Sequence, residues 1–407
     1  MDLRPLLPII AQDPALAGPQ AANISMPRGM VPPTLAYLER RAGESAPLMV
    51  AVTATGRGAE ELQGALRAYL PDSAVELFPS WETLPHERLS PRSDTVAQRL
   101  LAQRRLAHPE EFDPLRILIM PVRALLQPIT AGLGELAPVR VRVGDRVDTE
   151  QLENDLVSAA YVRVDMVERR GEFAVRGGII DVFPPTQSHP LRVELFGDEV
   201  DEIRTFSVAD QRSMEPATEL FATPCREILL TPEVRKRALD LMSSLPGAQD
   251  MLSQIAEGIA PEGMESLAPA LVDKMIPVVH TLPADAHITL VEPERVAQRA
   301  ESLIATTEEF LAAAWSAAAA GGNVPVNVDA ASFATLGDTR DQALDRGQEW
   351  LTLGGFARDE ETLSATAHLA APTPSISATV TAREPQRFLG KVDEAIKAIG
   401  GYSRESW

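Results

Sequence analysis

The sequence predicts an α/β protein: a parallel-sheet domain, a small antiparallel α+β module set into it, and the start of a further α/β domain. Two observations carry this reading. In the first third of the chain, apolar runs of strand length alternate with stretches of helical periodicity, as in a buried parallel sheet flanked by helices. Past Pro128 the pattern becomes apolar and polar residues in alternation, broken by short polar turns, as half-buried antiparallel strands require.

Taken in order, residues 34–42 (TLAYLERRA) and 59–69 (AEELQGALRAY) read as helices around the apolar strand Leu48–Thr53. A second apolar run, Ala74–Phe78, precedes a polar loop, a helix near 94–106 and a third run, Ile117–Met120. Residues 139–144 (VRVRVG) alternate as a strand, and 149–160 fits a helix. The segments EFAVRG, GIIDVF, LRVELF and EVDEIRTF then read as strands, with Gly197–Asp198 between the last two as a hairpin turn. From 231 the pattern is helical until a strand at His287–Val291. A helix follows, with Pro293 suited to its first turn and Gly321–Gly322 to its stop. Residues 357–380, rich in Ala, Ser, Thr and Pro, read as a linker, and 384–399 as a last helix. The sequence ends on YSRESW, and the parent protein is expected to continue.

A length of 407 residues allows several domains at roughly 100–200 residues each. A formal charge of −20 disfavours tight non-specific DNA binding, which needs a positive face to displace counterions. One cysteine, Cys225, excludes an internal disulfide and a multi-cysteine metal site, as expected of a cytoplasmic protein. The histidines lack helical ligand spacing, the N-terminus lacks the basic lead-in of a signal peptide, and no apolar run reaches the about 18 residues of a membrane span.

The segment PLMVAVTATGRGAEEL runs strand, small-residue turn, helix, the setting of a phosphate-binding loop. Such a loop needs backbone amides around phosphate, a lysine for the outer phosphates and a Ser or Thr for magnesium. In Thr55-Gly56-Arg57-Gly58, the glycine spacing puts Arg57 at the lysine position and Gly58 at the hydroxyl position. Arginine is not a substitute for a compact ammonium, and glycine ligates no metal. Alone, the segment is more readily read as a turn after a buried strand. Motor domains also hold magnesium with an acidic pair after another strand. Following His287–Val291, Val291 stands at the first carboxylate position and Glu292 alone remains. Two losses at two places predict that ATP is not hydrolysed here.

Several stretches carry a family resemblance. They are FPSWETLPHERLSPRSDTVAQRL (78–100), ILIMPVRALLQPI (117–129), YVRVDMVERRGEFAVRGGIIDVFPP (161–185), LRVELFGDEVDEIRTFSVADQRS (191–213), GMESLAPALVDK (263–274) and LVEPERV (290–296). With gaps, they resemble the N-terminal region of the bacterial transcription-repair coupling factors (Mfd), itself similar to the excision-repair helicase UvrB. The block 161–213 is the most specific part. The resemblance implies a degenerate helicase-like (RecA-like) domain in two segments, 1–128 and 212–345, interrupted by a UvrA-binding module at 129–211. Residues 346–407 would be a linker and the start of an incomplete third domain. It further implies no catalytic residue, metal or cofactor here. In the family ATP and magnesium are used by a C-terminal motor, and RNA polymerase is bound by other absent domains. The expected role is a cytoplasmic, non-catalytic adaptor that recruits UvrA to a stalled polymerase for nucleotide excision repair. DNA contact would be weak or none, with no membrane partner, and the C-terminal domain of the full-length protein would mask the surface. One departure from UvrB bears on DNA. After Ser93-Asp94-Thr95 the chain enters a helix almost directly, where UvrB carries an aromatic hairpin that stacks on bases.

By the same resemblance, UvrA binding falls on Arg163, Arg176 and Glu194, with Arg170 and Phe183 beside them. At Ala174 the UvrB pattern has another arginine, which Arg170 partly replaces. Arginines on a sheet edge suit a protein partner through bidentate bonds to carboxylates. Read without the family, Arg176 is a hairpin-end side chain, Phe183 a core residue, Arg169–Arg170 a solvated turn and Glu194 a solvent-facing strand position. Trp81 and Pro85–Arg88 lie on a loop where motor domains keep binding residues, but a structural role is expected, with Trp81 packing; Arg99, Arg104 and Arg105 are expected on a solvated helix face. Two rival functions remain: a UvrB-like ATP-dependent helicase domain, predicting saturable nucleotide binding, and a plain DNA-binding module, predicting steep salt dependence.

Overall fold

The computed structural model describes residues 2–17, 22–43, 46–84, 87–319, 332–354, 377–382 and 396–397. In chain order come β1 (Asn23–Ser25), α1 (Val31–Ala42), β2 (Met49–Thr53), α2 (Gly56–Leu66), β3 (Val75–Leu77), α3 (Ser93–Ala107), β4 (Ile117–Pro121) and α4 (Val122–Leu126). The chain then departs through β5 (Ile129–Thr130), β6 (Val139–Arg142), α5 (Thr149–Ser158), β7 (Val162–Arg163), β8 (Glu172–Arg176), β9 (Ile179–Val182), β10 (Leu191–Phe196), β11 (Glu199–Phe206), β12 (Ser213–Ala217) and β13 (Glu219–Ala222). It passes α6 (Pro232–Leu241) and α7 (Gln249–Glu257), returns as β14 (Met275–Ile276), and ends with β15 (His287–Val291), α8 (Pro293–Ala319), α9 (Leu336–Asp345), β16 (Glu349–Gly354) and β17 (Ser377–Thr379).

The apolar runs form the centre of a seven-stranded sheet, β17-β1-β16-β15-β2-β4-β3, and every pair in it is parallel. β2 is buried along its whole length because both faces are covered. Val50, Val52, Leu118, Met120 and Leu290 face one core with Val96, Leu125, Val296 and Leu336 from the helices. Met49, Ala51, Ile117 and Ile119 face the other with Leu35, Leu62 and Leu66. β5 and β14 pair antiparallel and form a neck through which the chain leaves this layer and comes back.

Beyond the neck, β12-β11-β10-β9-β8-β7 form a six-stranded sheet, antiparallel apart from the parallel pair β7–β8. Beside it, β6 pairs with β13. The insertion therefore does not end at 211: β12 joins its main sheet and β13 its hairpin. SMEPA is mostly exposed and has no apolar alternation, so it hides from a periodicity reading. Nor do residues 212–345 form one motor-like segment. Ile228, Leu252, Ile255, Met264 and Leu267 build a separate small helical core before the chain regains the parallel sheet at β15.

The expected linker and third-domain start at 346–407 also needs correction. β16 lies between β15 and β1 in the parallel sheet, and the hydroxyl of Thr352 donates to Asn23 Oδ1 at 2.8 Å. β17 extends the same sheet beyond β1. The Gly321–Gly322 stop, nearly all of 357–380 and the helix expected at 384–399, apart from 396–397, lie outside the described residues. No helix among the described residues is long and apolar enough to cross a membrane.

Candidate functional site

The two sequence positions read as losses from a nucleotide site are neighbours in space. β15 pairs directly with β2, Leu290 opposite Val52. Thr53, Thr55, Gly58, Val291 and Glu292 line one cavity of about 150 Å³, together with Arg28 and Arg295. Its polar groups are satisfied internally. Thr55 Oγ1 accepts from the Gly58 amide at 3.1 Å and caps α2, using an amide that a phosphate loop would offer its ligand. Thr53 Oγ1 donates to the Thr55 carbonyl at 2.9 Å. Arg57, at the lysine position, is 87% exposed and pairs with Glu61 at 2.9 Å along the helix. Glu292 adopts φ 55°, and its carboxylate accepts from Arg295 at 3.0 and 3.2 Å. Arg28 lies 3.6 Å from the same carboxylate. Among the described residues, both acids on the cavity wall are thus held by arginines, and no lysine lines it.

The described part of the loop from β3 to α3 is a joint, while Pro85 and His86 lie outside the described residues. Trp81 is buried, as expected, and its indole donates to Glu227 at 2.9 Å. Arg99 pairs with Glu227, both side chains almost wholly buried, and lies over the rings of Phe78 and Trp81. Arg105 is also buried, on Glu76, and Arg104 is mostly buried on Glu111. The expectation of a solvated arginine face on α3 is therefore wrong. The arginines at 99, 104 and 105 reach carboxylates brought in by other segments, which no local pattern reveals. Further along the loop, Ser90 Oγ donates to Glu265 at 2.7 Å and accepts from the Gly263 amide at 2.9 Å. Arg88 donates to the Gly247 carbonyl at 2.6 Å. The loop thus binds both the exit of the insertion and the helical cluster after it.

The inserted sheet has one closed and one open face. Phe173, Ile180, Val182, Val193 and Ile203 pack towards α5 with Leu152 and Leu156. Cys225 is buried in the same core, and burial pushes its thiol up to about 12, so it is not a reactive group. The opposite face carries Ala174 and Arg176 on β8, Ile179 and Asp181 on β9, Arg192 and Glu194 on β10, and Glu202 and Arg204 on β11, in register. At its centre Asp181 has no exposed side-chain surface and accepts from Arg192 at 2.7 and 3.0 Å. Arg176 binds the same carboxylate while its own side chain stays 45% exposed. The Asp181 hydrogen bonds hold the Arg192 guanidinium pKa above its ordinary value.

The five predicted docking residues separate on this frame. Arg176 and Glu194 lie on the open face in one row across Ile179. Arg163 is opposite Phe173, on the α5 side, and pairs with Glu153 of α5 at 2.6 Å. Phe183 does not serve as an exposed anchor. It is 7% exposed and packs with Val167, Ala174 and Phe206, covering one end of the otherwise open face, because the chain after β9 turns it onto that second small core. Arg170 covers its ring at 5.5 Å and donates to the Gln187 carbonyl. Sequence reasoning missed Asp181 and Arg192. An acid inside the apolar run GIIDVF was the available signal, as was Arg192 standing in phase with Glu194.

A parallel sheet with helices on both faces and an inserted antiparallel module, with no lysine among the described residues lining the β2–β15 cavity, defines a class: a degenerate helicase-like α/β fold carrying an inserted module. Residues 139–227 match the family model of the UvrB interaction domain, in agreement with an insertion that runs past 211. The chain is 44% identical over 380 residues to the transcription-repair-coupling factors of Mycobacterium tuberculosis and Mycobacterium bovis, covering 88% of this chain and 30% of each relative. It is 36% identical over 189 residues to that of Bacillus subtilis, 46% of this chain and 16% of the relative. The chain is thus similar over most of its length to transcription-repair-coupling factors, and within it residues 139–227 match the UvrB interaction domain. It spans about a third of the length of the mycobacterial relatives.

Proposed function

We propose that this region is a non-catalytic adaptor that docks UvrA through the open face of the inserted sheet. Within the longer coupling factor it would deliver UvrA to a polymerase stalled at damage. The observation that carries this reading is the Arg176–Asp181–Arg192 cluster on the open face of the segment that matches the UvrB interaction domain. A buried carboxylate holding two guanidiniums fixes their direction before a partner arrives, which lowers the entropy lost on binding. Arg176 keeps exposed N–H groups for a carboxylate on UvrA, and Glu194 offers the opposite charge beside it. The parallel-sheet body then acts as a scaffold, with its nucleotide cavity satisfied by Thr55, Arg28 and Arg295. RNA polymerase and ATP would be engaged by other parts of the full-length protein.

Purified UvrA captured on this chain, compared with Arg176→Glu and Arg163→Glu variants, tests the reading. Binding by the parent and loss in Arg176→Glu are expected. Arg163→Glu should lose less, because that residue stands on the other face and is tied to Glu153. No binding by the parent overturns the adaptor role, and full binding by the double variant overturns the assigned face.

A further inference from the structure

The open face carries an aromatic side chain that no role considered so far uses. Phe196, the last residue of β10, is 83% exposed. Strand alternation from Arg192 and Glu194 puts it on the open face, one step beyond Glu194. Gly197 next to it, at φ 69°, begins the hairpin turn into β11. The β8–β9 turn approaches from the other side, with Leu195 N–H donating to the Gly178 carbonyl at 2.8 Å. Alanine at Gly178 would put a Cβ 3.0 Å from the Leu195 carbonyl oxygen, so the two turns are packed tightly backbone to backbone. Phe196 is therefore presented from a rigid platform, with Ile179, Arg176 and Glu194 on the same surface.

A phenyl ring this exposed gains nothing for the fold, whereas buried aromatics dominate the energetics of interfaces. At the rim of a charged cluster it has the layout of a binding hot spot: one aromatic to fill a pocket, with charges around it to orient the partner. We infer that Phe196 is the apolar anchor of the docking face, the role for which the sequence had pointed to Phe183. This rests on the proposed function in taking UvrA as the occupant, and it adds what UvrA must present. Its surface should hold an apolar pocket wide enough for a phenyl ring, with a carboxylate placed for Arg176 and a cation for Glu194. The continuity of Phe196 with that charged row, within the segment matching the UvrB interaction domain, argues for this occupant over a second copy of the chain.

Affinity for UvrA is measured for the parent, Phe196→Ala, Phe196→Leu and Arg176→Glu, with thermal midpoints and oligomeric state recorded for each. Phe196→Ala should weaken binding by about 10- to 100-fold at an unchanged midpoint, and Phe196→Leu by less, since it keeps an apolar group. Binding by Phe196→Ala equal to the parent, while Arg176→Glu is impaired, overturns the anchor and leaves the proposed function standing. A parent that binds no UvrA overturns both. A parent that is a dimer and becomes monomeric on Phe196→Ala also overturns the anchor, because the ring then serves a contact between copies.

Discussion

Glu227→Ala tests whether the β3–α3 loop joins the insertion to the body. Arg99 and Glu227 have side chains 0% and 1% exposed, so the substitution leaves a guanidinium buried without its counter-charge. What remains to it is the Pro79 carbonyl at 2.9 Å and the faces of Phe78 at 4.3 Å and Trp81 at 5.6 Å. The Trp81 indole loses its acceptor at the same time. Breaking a buried pair from one side costs about 3–5 kcal/mol, mostly the desolvation of the stranded charge. Urea unfolding at neutral pH measures it, and a loss below about 1 kcal/mol would falsify the claim that this pair is dry and intact. Replacing both partners, Arg99→Met with Glu227→Leu, should recover most of the loss, since an apolar pair of similar volume is often as stable as a buried ion pair. UvrA affinity should stay within about twofold in Glu227→Ala, because the docking face lies on the insertion's own sheet, outside this joint.

Four further outcomes follow from the same geometry. Gly263→Ala, at φ 76° and with its new Cβ placed 2.3 Å from the Arg88 carbonyl carbon, should destabilise by about 2 kcal/mol or more in urea unfolding. Asp181→Ala strands Arg192 and frees Arg176, so it should cost both stability, about 3 kcal/mol, and UvrA capture; a variant that folds and binds like the parent would remove Asp181 from the site. Millimolar Mg-ATP should leave the thermal midpoint unmoved. A ligand at 100 times its Kd stabilises by about 2.7 kcal/mol, and a gain of that size would restore the helicase reading. Burial pushes the Glu219 carboxyl up, but hydrogen bonds from Arg140 and Arg142 outweigh it and hold the pKa below its ordinary value. Its contribution is present above the unfolded pKa of about 4.3 and is lost as pH falls through the lower folded value. Glu219→Gln should therefore flatten that part of the acid unfolding profile, and an unchanged slope would show that the pairing with Arg140 and Arg142 does not persist in solution.

The centre of the fold was legible because burial on both faces writes itself as an unbroken apolar run. The strand His287–Val291 has the same bounds in sequence and structure, and Leu48–Thr53 and Ile117–Met120 differ from their strands by one residue. The edges were not legible. NIS and SAT are three-residue strands with little apolar content, recruited by partners far away in the chain. β16 precedes the Ala-, Ser-, Thr- and Pro-rich stretch 357–380 and fell in the segment expected to begin a separate domain, although five of its six residues are buried. At the site, motif resemblance found Arg176 and Glu194, which share a row, and also Arg163, which the register places on the other side of the sheet. Phe183 and Phe196 show why a motif alone falls short. Both are aromatic residues at strand ends beside a turn, and only the path of the following chain decides which one is covered. The residues after β9 fold Phe183 onto Val167 and Phe206, whereas the tight turn after β10 leaves nothing above Phe196.

The same kind of comparison bears on the proposed loss of nucleotide chemistry. In an active phosphate loop the amides at the helix start and the cations around them are left for a ligand, a state that costs stability when the ligand is absent. Here the Thr55 hydroxyl takes the Gly58 amide, and the Glu292 carboxylate takes the two arginines. Glycine at 58 fits this directly, because a Cβ there would sit 3.3 Å from Thr55 Oγ1, tighter than most such contacts. On the proposed reading, glycine at the hydroxyl position and the Thr55 cap go together, and the cavity wall is satisfied without a ligand. Through Trp81, Arg99 and Glu227 the parallel-sheet body is fastened to the exit of the insertion, so the open face is held on a fixed support.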